Sequence, residues 1–437
     1  MICSKLKYMK FIWIKNNLFY LICLCLIVFS SNYQIIESIR ILDILFFVLY
    51  GLFFITQPKI NQKQFFLLLF ILIIFSISAI MGVLIKGPFE KARLIFVYKY
   101  FLIFTIPWLI ISIIKTEKQV RIVNKLLLIN FILLSSWSYI YVYILSNGLI
   151  DGDYRPGFPF GSYRPTAAHL FSCYLGFFFA AYLLYLKDFF NHNFILSSLI
   201  IFNSVLGLLS TGSRTGILLA FIATLFYGIL KLIIFLRIIF FNKLLFKKKM
   251  IIKCVYILVC LVPIILFLPP FINEYISNNY SLIQRDFHST LFNDYYNLIQ
   301  RSLKFNLVND ETSQNRIQKF MEAINEVKYS RLLLGLGFNT EKIWYDGIFA
   351  ILLAHGGLLF IISIFIFYFF LLKKIFLNSL NQNSLIFLFL VFLYAFSNFI
   401  TEYVMIFRNS FPVLVLLSIL YMNILKNYKI TKSNNTE

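Results

Sequence analysis

Apolar runs of about twenty residues succeed one another along this chain, and that is the length an α-helix needs to cross the hydrocarbon core of a bilayer. Apolar side chains make up 60% of the 437 residues, charged ones only 13%, and the mean hydropathy is +0.84. No soluble core buries such a balance, so the pattern predicts an all-α polytopic membrane protein. The runs lie at approximately 17–31, 39–56, 65–85, 94–114, 126–146, 167–186, 194–210, 215–236, 254–270, 347–371, 384–400 and 410–425, about twelve transmembrane helices. The expected organisation is transmembrane helices one to nine over 1–270, a large extracytoplasmic (periplasmic) loop over 271–345, and helices ten to twelve with a cytoplasmic tail over 346–437.

A formal net charge of +22 invites a nucleic-acid partner. The basic residues, however, sit in short clusters between the apolar runs rather than along one interleaved surface, which excludes that class. Loop charge that orients the helices accounts for them. With a cytoplasmic N-terminus, the inner loops hold Lys59 and Lys63, the Lys115–Lys125 group, Lys187, the Arg237–Lys253 group, and Lys373 and Lys374. The tail with Lys426, Lys429 and Lys432 also comes out inside. The short outer loops hold fewer, a bias of about threefold, and both termini come out cytoplasmic. Lys5, Lys7, Lys10 and Lys15 before the first run look like a signal peptide, but no small-residue cleavage site follows, which reads as an uncleaved first span.

Between Phe271 and Tyr345 the chain turns polar. Ile317, Phe320, Met321, Ile324 and Val327 recur there at three- and four-residue intervals, predicting an amphipathic helix with Asp310, Thr312 and Ser313 as candidate caps. Leu334-Gly335-Leu336-Gly337 would end it. Such a helix would rest on the membrane surface or against the spans, with Arg316 at the edge of its apolar stripe. Tyr275, Tyr280, Tyr295, Tyr296 and Trp344 either stack on sugar rings or anchor the loop at the interface.

Seven outer arginines oppose the orienting bias: Arg155, Arg164, Arg214, Arg285, Arg301, Arg316 and Arg331. Singly each reads as a solvated or headgroup contact. Together they suit a pyrophosphate, because guanidinium forks pair with phosphate oxygens and never lose their charge. Arg214, in Ser210-Thr211-Gly212-Ser213-Arg214-Thr215-Gly216 between two spans, is the sharpest, since a charge at bilayer depth needs a cavity or a partner. Asp346 opens the tenth span and serves either as its cap or as a base toward a sugar hydroxyl. Asp151 and Asp153 form a pair two residues apart, but no further oxygen ligands stand at a recognisable spacing, so no metal is expected. The six cysteines imply neither a disulfide framework nor a zinc site. Among the histidines, His192 lies on an inner loop, His169 and His355 fall within spans, and His288 is in the polar loop, which leaves a hydrolase site unsupported.

Four segments carry a resemblance that covers most of the chain. Leu209–Gly216 looks like a Ser-Arg turn opening a span, and Arg316–Gly337 like an arginine, an amphipathic helix and a Gly-x-Gly. Asp346–Leu359, with Gly356-Gly357, looks like the return to the membrane, and Arg155–Ala168 like an Arg/Gly/Pro loop ahead of a span. In this order they resemble the O-antigen polymerase and ligase family (Wzy and WaaL types). The resemblance implies an enzyme of the bacterial inner (cytoplasmic) membrane that needs no cofactor and no metal. It would transfer glycan, with inversion, from an undecaprenyl-diphosphate-linked oligosaccharide to a sugar hydroxyl of a lipid-linked acceptor. Carried over, Arg214 and Arg316 would hold the diphosphate and stabilise the leaving group, with Asp346 as a candidate base. Arg155, Arg164, Arg285 and Trp344 would bind substrate. Membrane lipid, a flippase and a chain-length regulator are the implied partners, and nucleic acid is not. Ligases of the family typically carry His-Asn after the large loop. Tyr345-Asp346-Gly347 stands there instead, favouring a polymerase.

Two other readings stay open. A ligase transferring glycan to lipid A core or protein shares these motifs. A lipid-linked oligosaccharide flippase shares the span count, but would be expected to have similar halves and short loops throughout.

Overall fold

The computed structural model describes residues 17–29, 34–36, 39–55, several between 69 and 84, 101–102, 105–146, 156–159, 165–241, 325, 327, 332–336, 352–362, 366, 382–400 and 407–434. These are mostly helical. In chain order the helices are α1 (Asn17–Val28), α2 (Ile41–Ile55), α3 (Glu117–Ser146), α4 (Pro165–Ala181), α5 (Phe194–Ser210) and α6 (Arg214–Phe241). There follow α7 (Leu352–Ile362), α8 (Gln382–Ile400) and α9 (Phe407–Asn434). Among the described residues, Gln34–Ile36 pairs antiparallel with Ile39–Arg40 between α1 and α2. Among the described residues, three helices are long and apolar enough to cross a membrane: Glu117–Ile144, Ala168–Phe189 and Thr215–Leu232. Every predicted run except 254–270, which lies outside the described residues, contains helical residues.

Helix ends follow local chemistry. α3 starts at Glu117, well before the expected 126, because Thr116 and Gln119 form a capping box. The Thr116 hydroxyl accepts from the Gln119 N–H at 3.2 Å, and Gln119 Oε1 accepts from the Thr116 and Lys115 N–H groups at 3.1 and 2.9 Å. Lys118, Arg121 and Lys125, expected in a loop, therefore ride on the first turns of this helix. Pro165 opens α4, where a missing N–H costs nothing. Beyond Ala181 the helix widens into a π segment, Tyr182–Leu186, and regains α geometry at Lys187–Phe189. Asn191 turns the chain with φ 51°, and Asn193 caps α5 by accepting from the Leu196 N–H at 2.9 Å.

The chain divides into two compact units, Met1–Phe131 with Phe158–Ser162 and Asn306–Glu437, and Ile132–Gly157 with Tyr163–Phe305. In the first, Phe46 meets Phe411 edge-on at 4.9 Å, Phe53 meets Trp108 at 5.1 Å, and Tyr50 hydrogen-bonds Thr105. α8 packs along α9. In the second, α4 is central: its membrane-length stretch is 89% buried, and it packs most extensively on α6 and then on α5.

α5 has its greasy side outward. Phe194, Ile195, Leu199 and Phe202 are exposed, whereas Ser197, Ser204, Gly207 and Ser210 are buried. Water would penalise that arrangement. Hydrocarbon outside would favour it, because small and polar residues then form the helix–helix seams. The seam with α3 is polar accordingly. Asn203 accepts from Ser136 and Tyr139 and donates to the Ile132 carbonyl, and Ser138 donates to the Gly207 carbonyl at 2.8 Å. Ser198, Ser204 and Ser210 each return their hydroxyl to a carbonyl four residues back, leaving no demand for water.

Candidate functional site

The turn from α5 to α6 is buried and polar. Ser210, Thr211 and Ser213 are all nearly inaccessible, and Ser213 is 1% exposed. Thr211 ends α5: its hydroxyl donates to the Leu208 carbonyl at 2.7 Å and accepts from the Ser213 N–H at 3.3 Å. Gly212 follows with φ 62°, and α6 begins at Arg214.

A serine just ahead of a helix ordinarily turns its oxygen onto the N–H of the second or third helical residue. Ser213 occupies that place, yet its hydroxyl lies 2.9 Å from His169 Nδ1 on α4. The Gly216 N–H, third in the helix, is taken instead by the Ser172 hydroxyl at 3.1 Å. Ser172 also donates to the Ser213 carbonyl at 3.4 Å, so its single oxygen serves both sides of the turn. The start of α6 is thus capped by a neighbouring helix.

This approach is possible only because residue 216 is glycine. A Cβ there would run into the Ser172 hydroxyl and carbonyl, and one on Gly176 would stand 2.5 Å from the Gly216 oxygen. His169, Ser172 and Gly176 follow at three- and four-residue steps and so share one face of α4.

The helix that starts here has no acidic residue in its first turn. Its N-terminal end carries the positive pole of the peptide dipoles, and its first residue is an arginine. A cation at that pole is unfavourable by about 0.3–1 kcal/mol unless an anion compensates. A helix start that opens on an arginine is chemistry suited to phosphate.

A second motif, in the other unit, is also partly described. Leu332–Leu336 turns against α7 through main-chain bonds: Leu336 N–H to the Ala354 carbonyl at 2.7 Å, Leu358 to Leu332 at 2.9 Å, and Leu359 to Leu333 at 3.1 Å. Gly335 and Gly357 take φ 68° and 63°. Val327, Leu336 and Leu353 form a buried apolar cluster with Leu332 and Ile361 at its edge. The end of the predicted amphipathic stripe, Val327, therefore packs against a helix, and the expected turn at Gly335 is present. Ile317, Phe320, Met321 and Ile324 lie outside the described residues.

Of the site residues read from the sequence, Arg214 has its backbone described. Arg155, Arg164, Arg285, Arg316, Trp344 and Asp346 lie outside the described residues. Next to Arg155, Pro156 and Gly157 are buried, and the Gly157 carbonyl accepts from the Trp137 indole at 3.1 Å. Among the described residues no group of three or more His, Cys, Asp or Glu is arranged to hold a metal ion. Comparison with family models, with curated proteins and with solved structures returns no match to this chain.

Sequence reasoning missed His169 and Ser172. The predicted topology does put the start of the sixth span and the 210–216 turn on one side of the membrane. What it lacks is the adjacency of α4 and α6, because 44 residues separate His169 from Ser213 and no local spacing links them.

Proposed function

We propose that the protein is a repeat-unit polymerase of a surface polysaccharide, O-antigen or capsule, in the bacterial inner membrane. In this reading the chain makes about twelve crossings, both termini are cytoplasmic, and the 271–345 segment faces the periplasm. The donor is an undecaprenyl-diphosphate-linked oligosaccharide and the acceptor another lipid-linked unit. An acceptor hydroxyl attacks the donor's anomeric carbon from the face opposite the diphosphate. The bond from that carbon to the phosphate oxygen breaks, and undecaprenyl diphosphate leaves with the electron pair. The hydroxyl proton passes to a base, for which Asp346 is the candidate. Arg214 and Arg316 bind the diphosphate and offset its growing charge, the term that most often dominates such catalysis. Arg155, Arg164, Arg285 and Trp344 hold the glycan and its headgroup, and no metal or cofactor takes part.

The observation that carries this reading is the start of α6. Its first residue is Arg214, it follows a turn in which Ser210, Thr211 and Ser213 are buried, and its first turn holds no acidic residue. A lipid-borne diphosphate would suit the positive pole of that helix and an arginine at its first position. The outward apolar face of α5 supports a membrane setting. The turn over Leu332–Leu336, with Gly335 at φ 68°, supports the family resemblance.

The test is the length distribution of surface glycan in a strain whose own copy is deleted. Arg214→Ala and Arg316→Ala should each leave single repeat units attached, with membrane levels of the protein unchanged. A normal ladder in both variants would remove the arginines from the mechanism. Complete loss of attached glycan in the deletion strain would favour a ligase or a flippase.

A further inference from the structure

Among the described residues His169 is the histidine placed against the turn that carries Arg214, and nothing in the reaction outlined above uses it. The Gly216 N–H would be satisfied equally well by Ser213 from within its own helix. Capping it from Ser172 adds no bond at that N–H. What it adds, together with the His169–Ser213 contact at 2.9 Å, is registry: two residues on one face of α4 fix the backbone on both sides of Arg214. The close approach of Gly176 to Gly216 leaves no room for a side chain between α4 and α6 at this level.

We infer that His169 is a positioning residue for Arg214, holding Ser213 through Nδ1 so that the arginine's backbone is set relative to α4. The inference rests on the polymerase reading. A misplacement of the order of 1 Å in a group that meets the reacting centre costs up to about a hundredfold in rate, so a lost Ser213 contact is expected to be felt in glycan length before it is felt in protein level.

The imidazole nitrogen that matters is Nδ1, which separates two otherwise similar replacements. Asn places a polar atom near the Nδ1 position, and Gln places one near Nε2. In the deletion strain, each variant is expressed from a plasmid, with membrane level measured by blot and the glycan ladder by gel. H169N is expected to keep the ladder within about twofold of wild type, whereas H169Q and S213A each lose about tenfold of the glycan longer than one repeat. The H169Q/S213A double variant should be no worse than either single one, because both remove the same contact. Thermal midpoints of the purified variants in detergent should stay within a few degrees of one another, which a purely structural role for the pair would not allow.

Equal loss in H169N and H169Q, or an additive double variant, would overturn the assignment. If H169Q fails to accumulate, S213A decides, since it removes one hydroxyl: a normal ladder at normal level overturns the inference. Arg214→Ala, run alongside, separates the two ideas. Single units with Arg214→Ala but full ladders with H169Q and S213A defeat the positioning role alone. A full ladder with Arg214→Ala defeats the polymerase reading of the site.

Discussion

At Ser210–Gly216 the chain turns between two helices and is held by side chains of a third, whereas at Leu332–Leu336 it turns and is held by main-chain bonds and a small apolar cluster. The first arrangement depends on which polar side chains are present and on one glycine that admits them. The second depends on backbone shape, set by Gly335 and Gly357 in the left-handed region. Polar substitutions should therefore register at the first turn, and glycine substitutions at both. A motif read as a string of letters hides that difference, since neither string names the groups that hold its turn.

The largest effect should come from Gly216→Val. The new side chain would collide with the hydroxyl and carbonyl of Ser172, itself fully buried on α4. A loss of about 3 kcal/mol is expected, read as a collapse of the thermal midpoint or of membrane-inserted protein. A variant as stable as wild type would break the account of side-chain capping.

Gly335→Ala should come next, at about 2 kcal/mol. Its Cβ would stand 2.6 Å from the Gly357 nitrogen and 2.8 Å from the Ala354 oxygen, at a φ of 68° that L-residues avoid. Denaturation of purified protein in detergent would measure it. An unchanged midpoint would mean that the main-chain pairing with α7 does not stabilise this turn.

Ser172→Ala should cost about 1 kcal/mol, the usual loss for a removed helix cap, since the Gly216 N–H then has Ser213 as a fallback. An unchanged midpoint would mean that the Ser172 cap adds nothing to the stability of the turn.

The smallest effect lies away from both turns, on the connection between α4 and α5. His192 stacks on Phe190 at 5.6 Å, its Nδ1 is 3.1 Å from the Tyr182 hydroxyl, and burial holds its imidazole below the ordinary value of 6.5. The folded state then takes up a proton less readily than the unfolded one. Its contribution to stability is present above about pH 6.5 and is lost as pH falls below that, toward the folded value. The slope of thermal midpoint against pH in that window should shrink in His192→Phe, and an unchanged slope would assign the dependence elsewhere.

Much of the helical layout was legible because hydropathy and helix length report the same thing in a chain like this. Phe194–Ser210 coincides with its predicted run, where Asn193 marks one end and Thr211-Gly212 the other. α3 was cut short at its start because an apolar window does not register Thr116, Glu117, Lys118 and Gln119, although those residues contain the capping box that begins the helix. The π segment at Tyr182–Leu186 has no signal in residue type, since Tyr-Leu-Leu-Tyr-Leu suits an α-helix equally well. At the candidate site the Ser-Arg turn was legible as a local string. Its partners were not, because His169 and Ser172 reach it across a helix–helix contact, and the periodicity of α4, apolar on all sides, does not say which face meets which neighbour. The gain from the structure is a reason for two residues that looked like ordinary members of a span.

The most direct test of the central claim uses purified protein reconstituted in lipid nanodiscs with an undecaprenyl-diphosphate-linked repeat unit as sole substrate and a chelator present. The account predicts lipid-linked products of two or more repeats, one undecaprenyl diphosphate released per new glycosidic bond, and loss of both in Arg214→Ala. Unextended substrate with the wild-type protein, where the same preparation is extended by a separate polymerase, would contradict it.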